Sequence, residues 1–168
     1  MNRTAADKFW DFSLEIYRFP GVADRLIALQ DDYDADVNLV LFCCWCGQEG
    51  RLPLEATFFE RADRNLGEWR REVIEVLRSL RREMKGGIRG ISPETSEPIR
   101  GEVKRLELNA ERVMQSALAS VAPSVVGPGS PAYAREALEA YLHHCGIAVT
   151  GDVSKLVDLL AAGMSESD

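Results

Sequence analysis

Residues 31–47 read DDYDADVNLVLFCCWCG, a run of carboxylates leading into an apolar stretch that holds three cysteines. Asp32, Asp34, Asp36 and Asn38 alternate like the first ligands of a calcium-binding EF-hand loop. The sixth position of such a loop requires glycine and the twelfth a bidentate glutamate; here they are Val37 and Cys43. Magnesium is the second option, because Asp32 and Asp36 share a face at i, i+4 if helical. No second aspartate-rich motif answers them, and a lone carboxylate pair holds magnesium weakly without substrate phosphates. The competing reading is structural: Asp36 caps the helix that follows, its charge favoured by the helix dipole.

Cys43 and Cys46 form a C-x-x-C, the spacing of a thiol redox pair or of half a zinc site. A reactive pair sits at a helix N-terminus, where the dipole lowers the thiol pKa. These cysteines close their run, at the end where the dipole raises it. Zinc would need two more ligands, and the chain's two histidines, His143 and His144, stand beside Cys145. The tetrad Cys43, Cys46, His144 and Cys145 is the candidate. Against it, free cysteine packs as a small apolar residue, and a histidine in a last helical turn is favoured by the nearby carbonyls. Nucleophilic chemistry has less support. Cys145 and its neighbouring histidine point apart on a helix, Ser13 has no evident base, and KGGIRG lacks the strand and helix opening of a phosphate loop.

A cationic patch is the third kind of candidate. Arg78, Arg81, Arg82 and Lys85 fall at threes and fours, with Arg89 in the loop beyond. Residues 51–89 carry ten basic and seven acidic side chains, in a protein of net charge −7. An anionic partner would fit this island: RNA, a phosphate-bearing ligand or an acidic protein face. Basic residues near a helix C-terminus are equally favourable with no ligand at all. The overall negative charge disfavours non-specific binding of nucleic acid by the whole molecule.

The elements that must position these groups are helices. Thr4 and Asp7 cap a first helix through Phe9, Phe12 and Ile16. Pro20-Gly21 ends it, and a second helix runs through Leu26 and Leu29 to the acidic cluster. Val37–Cys46 is apolar on every side; no partner strand is visible elsewhere, so it reads as a buried helix. A short helix through Phe58 and Phe59 precedes a longer one from Trp69 to Met84. Residues 85–98 form the clearest loop. Ile99, Val103, Leu106, Ala110, Val113, Ala117 and Val121 then make a seam that can pack antiparallel on the Trp69–Met84 helix. After a break at 122–131 come a helix ending near Cys145 and a short one over Val153–Leu160.

The expected fold is therefore all-α: a single-domain bundle of six or seven helices over residues 1–163, with a polar tail at 164–168. At 168 residues such a chain buries a core without staples. The longest apolar stretch is far shorter than the roughly 20 residues that span a bilayer. Clustered cysteines unlike a disulfide framework, and no basic-then-apolar leader, point to the cytoplasm with the thiols reduced.

FWDFSLEIYRFPGV (9–22), LQDDYDADVNLVLF (29–42) and Trp45 with Gly47 resemble a family of short proteobacterial proteins of unknown function, which share an FW-x-FSL, PGV, LQD, DVN and W-x-G series. The match is dense over residues 9–47 and looser to about residue 122. The resemblance implies a bacterial intracellular helical domain and no mechanism. It directs attention to Ser13, Gln30, Asp31, Asp36 and Asn38, polar residues within apolar segments, with Trp10 and Trp45 nearby. Such residues form either a core network or the lining of an interhelical pocket. The expected function is that of a non-enzymatic interaction protein, with helix 66–89 offered to an anionic ligand or a protein face. The alternative is a small enzyme or ligand carrier, zinc- or magnesium-dependent, built on the polar set. Nothing in the sequence fixes the oligomeric state.

Overall fold

Thr4 opens α1 (Ala5–Ile16) with a reciprocal cap, accepting from the backbone N–H of Asp7 at 3.1 Å while the Asp7 carboxylate accepts from the Thr4 backbone. Gly21, in the left-handed region, turns the chain into α2 (Val22–Tyr33). Asp34, also left-handed, closes that helix, and Asp36 starts α3 (Val37–Glu49) by accepting from the Asn38 N–H at 2.8 Å. The chain then forms α4 (Ala56–Trp69), a π-helical segment (Arg70–Glu75), α5 (Val76–Met84), α6 (Pro93–Ser120), α7 (Pro131–His144) and α8 (Gly151–Gly163). This computed structural model describes residues 3–163, so the tail expected at 164–168 lies outside the described residues.

All regular structure among the described residues is helical; Ile88 and Ile91 form an isolated bridge in a turn. Because α4, the π segment and α5 run on without a break, the eight α-helices of the described residues make seven rods. The two helices expected before Met84 are thus one. The loop expected at 85–98 is also shorter, since α6 begins at Pro93, whose missing N–H costs nothing in a first turn. Pro98 is accommodated inside that helix. No helix is long and apolar enough to cross a membrane among the described residues.

The helices group into two compact units, Met1–Arg61 with Gln115–Asp168, and Ala62–Met114. In the first, α3 is buried from Asn38 to Gly47 and is the spine of the unit. It packs closest on α7, and Gly47 makes that approach possible: a Cβ there would collide with the backbone of Tyr133 and Ala134. Ser130 N–H donates to the Gly47 carbonyl at 3.1 Å. The aromatic core extends from Phe9 stacked on Trp45 (centroids 5.2 Å) through Phe42 and Phe58 to Phe59 and Tyr141.

In the second unit the rod and α6 form an antiparallel hairpin. Trp69 Nε1 donates to the Ala110 carbonyl at 3.1 Å, and Arg100 Nε donates to the Arg81 carbonyl at 3.3 Å, so residues early in one helix meet residues late in the other. Ile74, Met84, Val103, Ala110 and Met114 are buried.

Candidate functional site

The polar residues that stand out in the apolar segments divide into two groups. Ser13, on α1, points its hydroxyl at the Phe9 carbonyl (3.0 Å) and at Gln115 Oε1 (3.1 Å). Gln115, on α6, donates through Nε2 to Asn38 Oδ1 at 2.9 Å. The Asn38 backbone N–H donates to Asp36 Oδ1, and the Asp36 N–H donates to the Tyr141 hydroxyl of α7 at 2.8 Å. Ser13, Gln115, Asn38 and Asp36 are all buried, and Tyr141 closes the line. One continuous path of hydrogen bonds therefore joins α1, α6, the start of α3 and α7. Burial first, then the nearby Asp36 charge, holds the Tyr141 phenol far above its ordinary pKa, so it remains protonated.

Gln30 and Asp31 are elsewhere. Gln30 Nε2 donates to Asp31 Oδ1 at 3.3 Å in an exposed pair on α2. A cleft of about 160 Å³ opens between α2 and α8, floored by Leu29, Val153 and Leu156 and edged by Arg25, Asp32 and Asp152. None of the five polar residues lines it. Trp45 faces protein: Phe9 stacks on it and the Arg51 guanidinium lies 5.2 Å from its ring centroid. Trp10 is half-buried on α1. Chemically, the network matches donors to acceptors, and the two partners of the Ser13 proton are an amide and a backbone oxygen, neither a general base.

The four cysteines are free thiols. Cys43, Cys44 and Cys46 are buried and Cys145 is exposed. Burial pushes the Cys44 thiol up to about 12, and drives Cys43 and Cys46 upward for the same first reason. Burial of this kind favours the protonated thiol, the opposite of the lowered pKa that a redox pair uses. The zinc tetrad is not assembled: among the described residues no three histidine, cysteine, aspartate or glutamate side chains converge as a metal would need. Cys43 and Cys46 lie inside the buried α3 core, whereas Cys145 is exposed.

The basic helix is engaged within its own unit. Arg78 pairs with Glu107 (3.1 Å) and Glu111 (2.8 Å), and Arg81 clamps the same Glu107 carboxylate. Arg82, Lys85 and Arg89 are exposed. Residues 62–114 carry twelve basic and ten acidic side chains, so the island is nearly neutralised where it folds.

This unit also exposes large apolar side chains. Trp69, Val76 and Leu80 on the rod, and Ile99, Leu106 and Val113 on α6, are each 36–60 % accessible. The seam read from the sequence is split: Val103 and Ala110 face the rod, whereas Ile99, Leu106 and Val113 do not. At about 100° per residue, Val76 and Leu80 on the rod and Ile99, Leu106 and Val113 on α6 are rotated from the hairpin contact in the same sense, whereas Trp69, before the π segment, turns its indole to Ala110. Because the helices run in opposite directions, that places both stripes on one side of the hairpin.

The family model for a protein of unknown function (DUF2390) matches residues 8–118. The chain belongs to this family. No curated protein and no solved structure matches it. The DUF2390 match takes in α1 to α6 up to Leu118, and so contains Ser13, Asp36, Asn38 and Gln115, the hairpin and its exposed stripe; Tyr141 lies beyond it.

Gln115 and Tyr141 are the network members that sequence reasoning misses. Gln115 follows Met114 and lies one turn from buried Leu118, so a lone amide at a core position of α6 is the available signal. Tyr141 shows in the sequence only as an apolar-face residue of its helix.

Proposed function

We propose that this DUF2390 chain is a protein-interaction module that binds a protein partner through the apolar side of the 62–114 hairpin. The observation that carries the reading is a stripe of large apolar side chains, Val76, Leu80, Ile99, Leu106 and Val113, left open to water. Large apolar side chains gathered on one exposed face fit a contact surface. Helix 66–89 then contributes Val76 and Leu80 to the contact. Pairing of Arg78 and Arg81 with Glu107 and Glu111 favours this over a purely electrostatic hold on an anion. The matched hydrogen bonds of Ser13, Asp36 and Asn38 support a packing role for that network rather than a reaction centre. Four free thiols, three of them buried, fit a reducing, cytoplasmic setting.

The test is photocrosslinking in living cells, with a photoreactive residue at position 76 or 106 and a control at position 60, outside the stripe. Discrete protein adducts from 76 and 106 and none from 60 are expected. No protein adduct from either stripe position overturns the reading.

A further inference from the structure

We infer that the cleft between α2 and α8 binds a small zwitterion whose ammonium and carboxylate are held apart by a short methylene chain, that is, an ω-amino acid. Both helices belong to the first unit, and the inference does not rest on the interaction reading above. Three observations carry it.

The first is the order of side chains along one wall. Arg25, Leu29 and Asp32 succeed one another at four and three on α2, so they share a face, and all three line the cleft. That face is cationic at one end, apolar in the middle and anionic at the other. Opposite it α8 supplies Val153 and Leu156, which with Leu29 are buried and make the floor. Tyr33 lines the cleft beside Asp32 and is half-exposed. An ammonium at that end meets a carboxylate and an aromatic ring, both of which favour a cation.

The second is uncompensated charge. Among the described residues neither Arg25 nor Asp32 has an ion pair or a side-chain hydrogen bond. The remaining acid of the rim is already engaged, because Lys155 Nζ donates to Asp152 Oδ1 at 2.8 Å. That bond first, then the Lys155 charge and lastly the field of Arg25, holds the Asp152 carboxyl below its ordinary range. Arg25 and Asp32 do not neutralise each other, since seven positions put them roughly 10 Å apart along the helix axis. Helical side chains lean toward the N-terminus, so both lean the same way and keep that spacing. One guanidinium and one carboxylate are left on a single face, each open to a ligand group of the opposite sign.

The third is size. The cleft volume of about 160 Å³ is what roughly five waters occupy in the liquid. That is room for a short aliphatic chain, and well below the roughly 300 Å³ and more of sites for drug-sized ligands and cofactors. The α-ammonium and α-carboxylate of an ordinary amino acid are neighbours and cannot reach both ends. An extended chain of about five methylenes places its end groups roughly 7–8 Å apart, and a hydrogen bond of about 2.8 Å at each end completes the span. The methylenes then lie on Leu29, Val153 and Leu156, where water is displaced from apolar surface.

The experiment titrates the isotope-labelled full chain with ε-aminocaproate and follows backbone amide signals by nuclear magnetic resonance. Saturable shifts confined to α2 and α8 are expected, with a Kd of roughly 1 mM or tighter. Hexanoate and hexylammonium, which keep the chain but carry one charge each, bind about tenfold or more weakly, as does the shorter γ-aminobutyrate. Arg25→Gln and Asp32→Asn each weaken ε-aminocaproate by a similar factor, and their own spectra report that the fold is kept. Asp31→Asn, next in sequence but off the cleft, leaves the affinity unchanged. Absence of shifts at α2 and α8 overturns the inference, as does wild-type affinity in either cleft variant. Equal binding of a single-charge probe, or of γ-aminobutyrate, overturns it too, because the two separated charges are then not what the cleft reads.

Discussion

The side-chain amide of Gln115 donates to Asn38 at 2.9 Å across 77 positions of chain. It is the middle link between Ser13 on α1 and the Asp36 cap of α3, and buried polar links of this kind are costly to cut because each orphaned group has lost its water.

Gln115→Leu strips partners from both Ser13 and Asn38, and is expected to destabilise the fold by about 2–4 kcal/mol. Ser13→Ala removes only one donor, which has a local carbonyl as its second partner, and should cost about 1 kcal/mol. Denaturant midpoints of the two variants, at unchanged slope, provide the comparison. Equal effects would contradict the central place given to Gln115.

The glycines divide sharply. Gly47→Ala drives a methyl into the Tyr133–Ala134 backbone, and neither helix can yield without moving the spine, so a loss above about 3 kcal/mol or failure to fold is expected. Gly101 lies inside α6, with nothing within 4 Å of where a Cβ would stand. Gly101→Ala should instead stabilise by about 0.5–1 kcal/mol through helix propensity. Thermal melts of the two variants moving in opposite directions are the expected outcome.

Glu107 is buried between Arg78 and Arg81, whereas Glu102 meets Arg105 in water. Glu107→Gln should cost about 2–4 kcal/mol because it leaves the partly buried Arg81 guanidinium without its charge partner. Glu102→Gln should change stability by no more than about 0.5 kcal/mol. Urea unfolding in low and high salt separates them, since only the exposed pair is readily screened.

The thiols make stability depend on alkaline pH. Cys44 titrates near 9 in an unfolded chain and near 12 when folded, because burial penalises the thiolate. Its folded pKa is raised, so its contribution is complete below about pH 9 and is lost as pH climbs to about 12, by on the order of 4 kcal/mol in all. Cys44→Ala should flatten that decline in a denaturation series. In the same range native labelling should reach Cys145 alone, with the other three thiols appearing only after unfolding.

Local signals in the sequence are dependable because their physics is local. Thr4 with Asp7, and Asp36 before Val37, are caps that need only neighbouring backbone, and both form as read. Val37–Cys46, apolar on every side, is buried as a helix. The partners of long-range contacts are not legible: nothing near Asn38 names Gln115, and nothing near Asp36 names Tyr141. The 99–121 seam illustrates a further limit. A spacing of fours and threes marks an apolar face but not which neighbour covers it, and Ile99, Leu106 and Val113 face outward while Val103 and Ala110 face inward. Arg78 and Arg81 read as surface charge because the acids that neutralise them lie 26 to 33 residues on, at Glu107 and Glu111.

The π-helical segment at Arg70–Glu75 gives the rod a spare residue. A π turn holds one residue more than the α turn it replaces, so the helices before and after it keep their phase as though that residue were absent. Chain shortening has two different outcomes along this rod. Removing one residue within 70–75 lets the segment relax to an α-helix with Val76 and Leu80 still pointing where they do. Removing one beyond it, within α5, turns everything downstream by about 100°. Length variation in relatives should therefore be absorbed at this point, a slip joint in an otherwise rigid shaft.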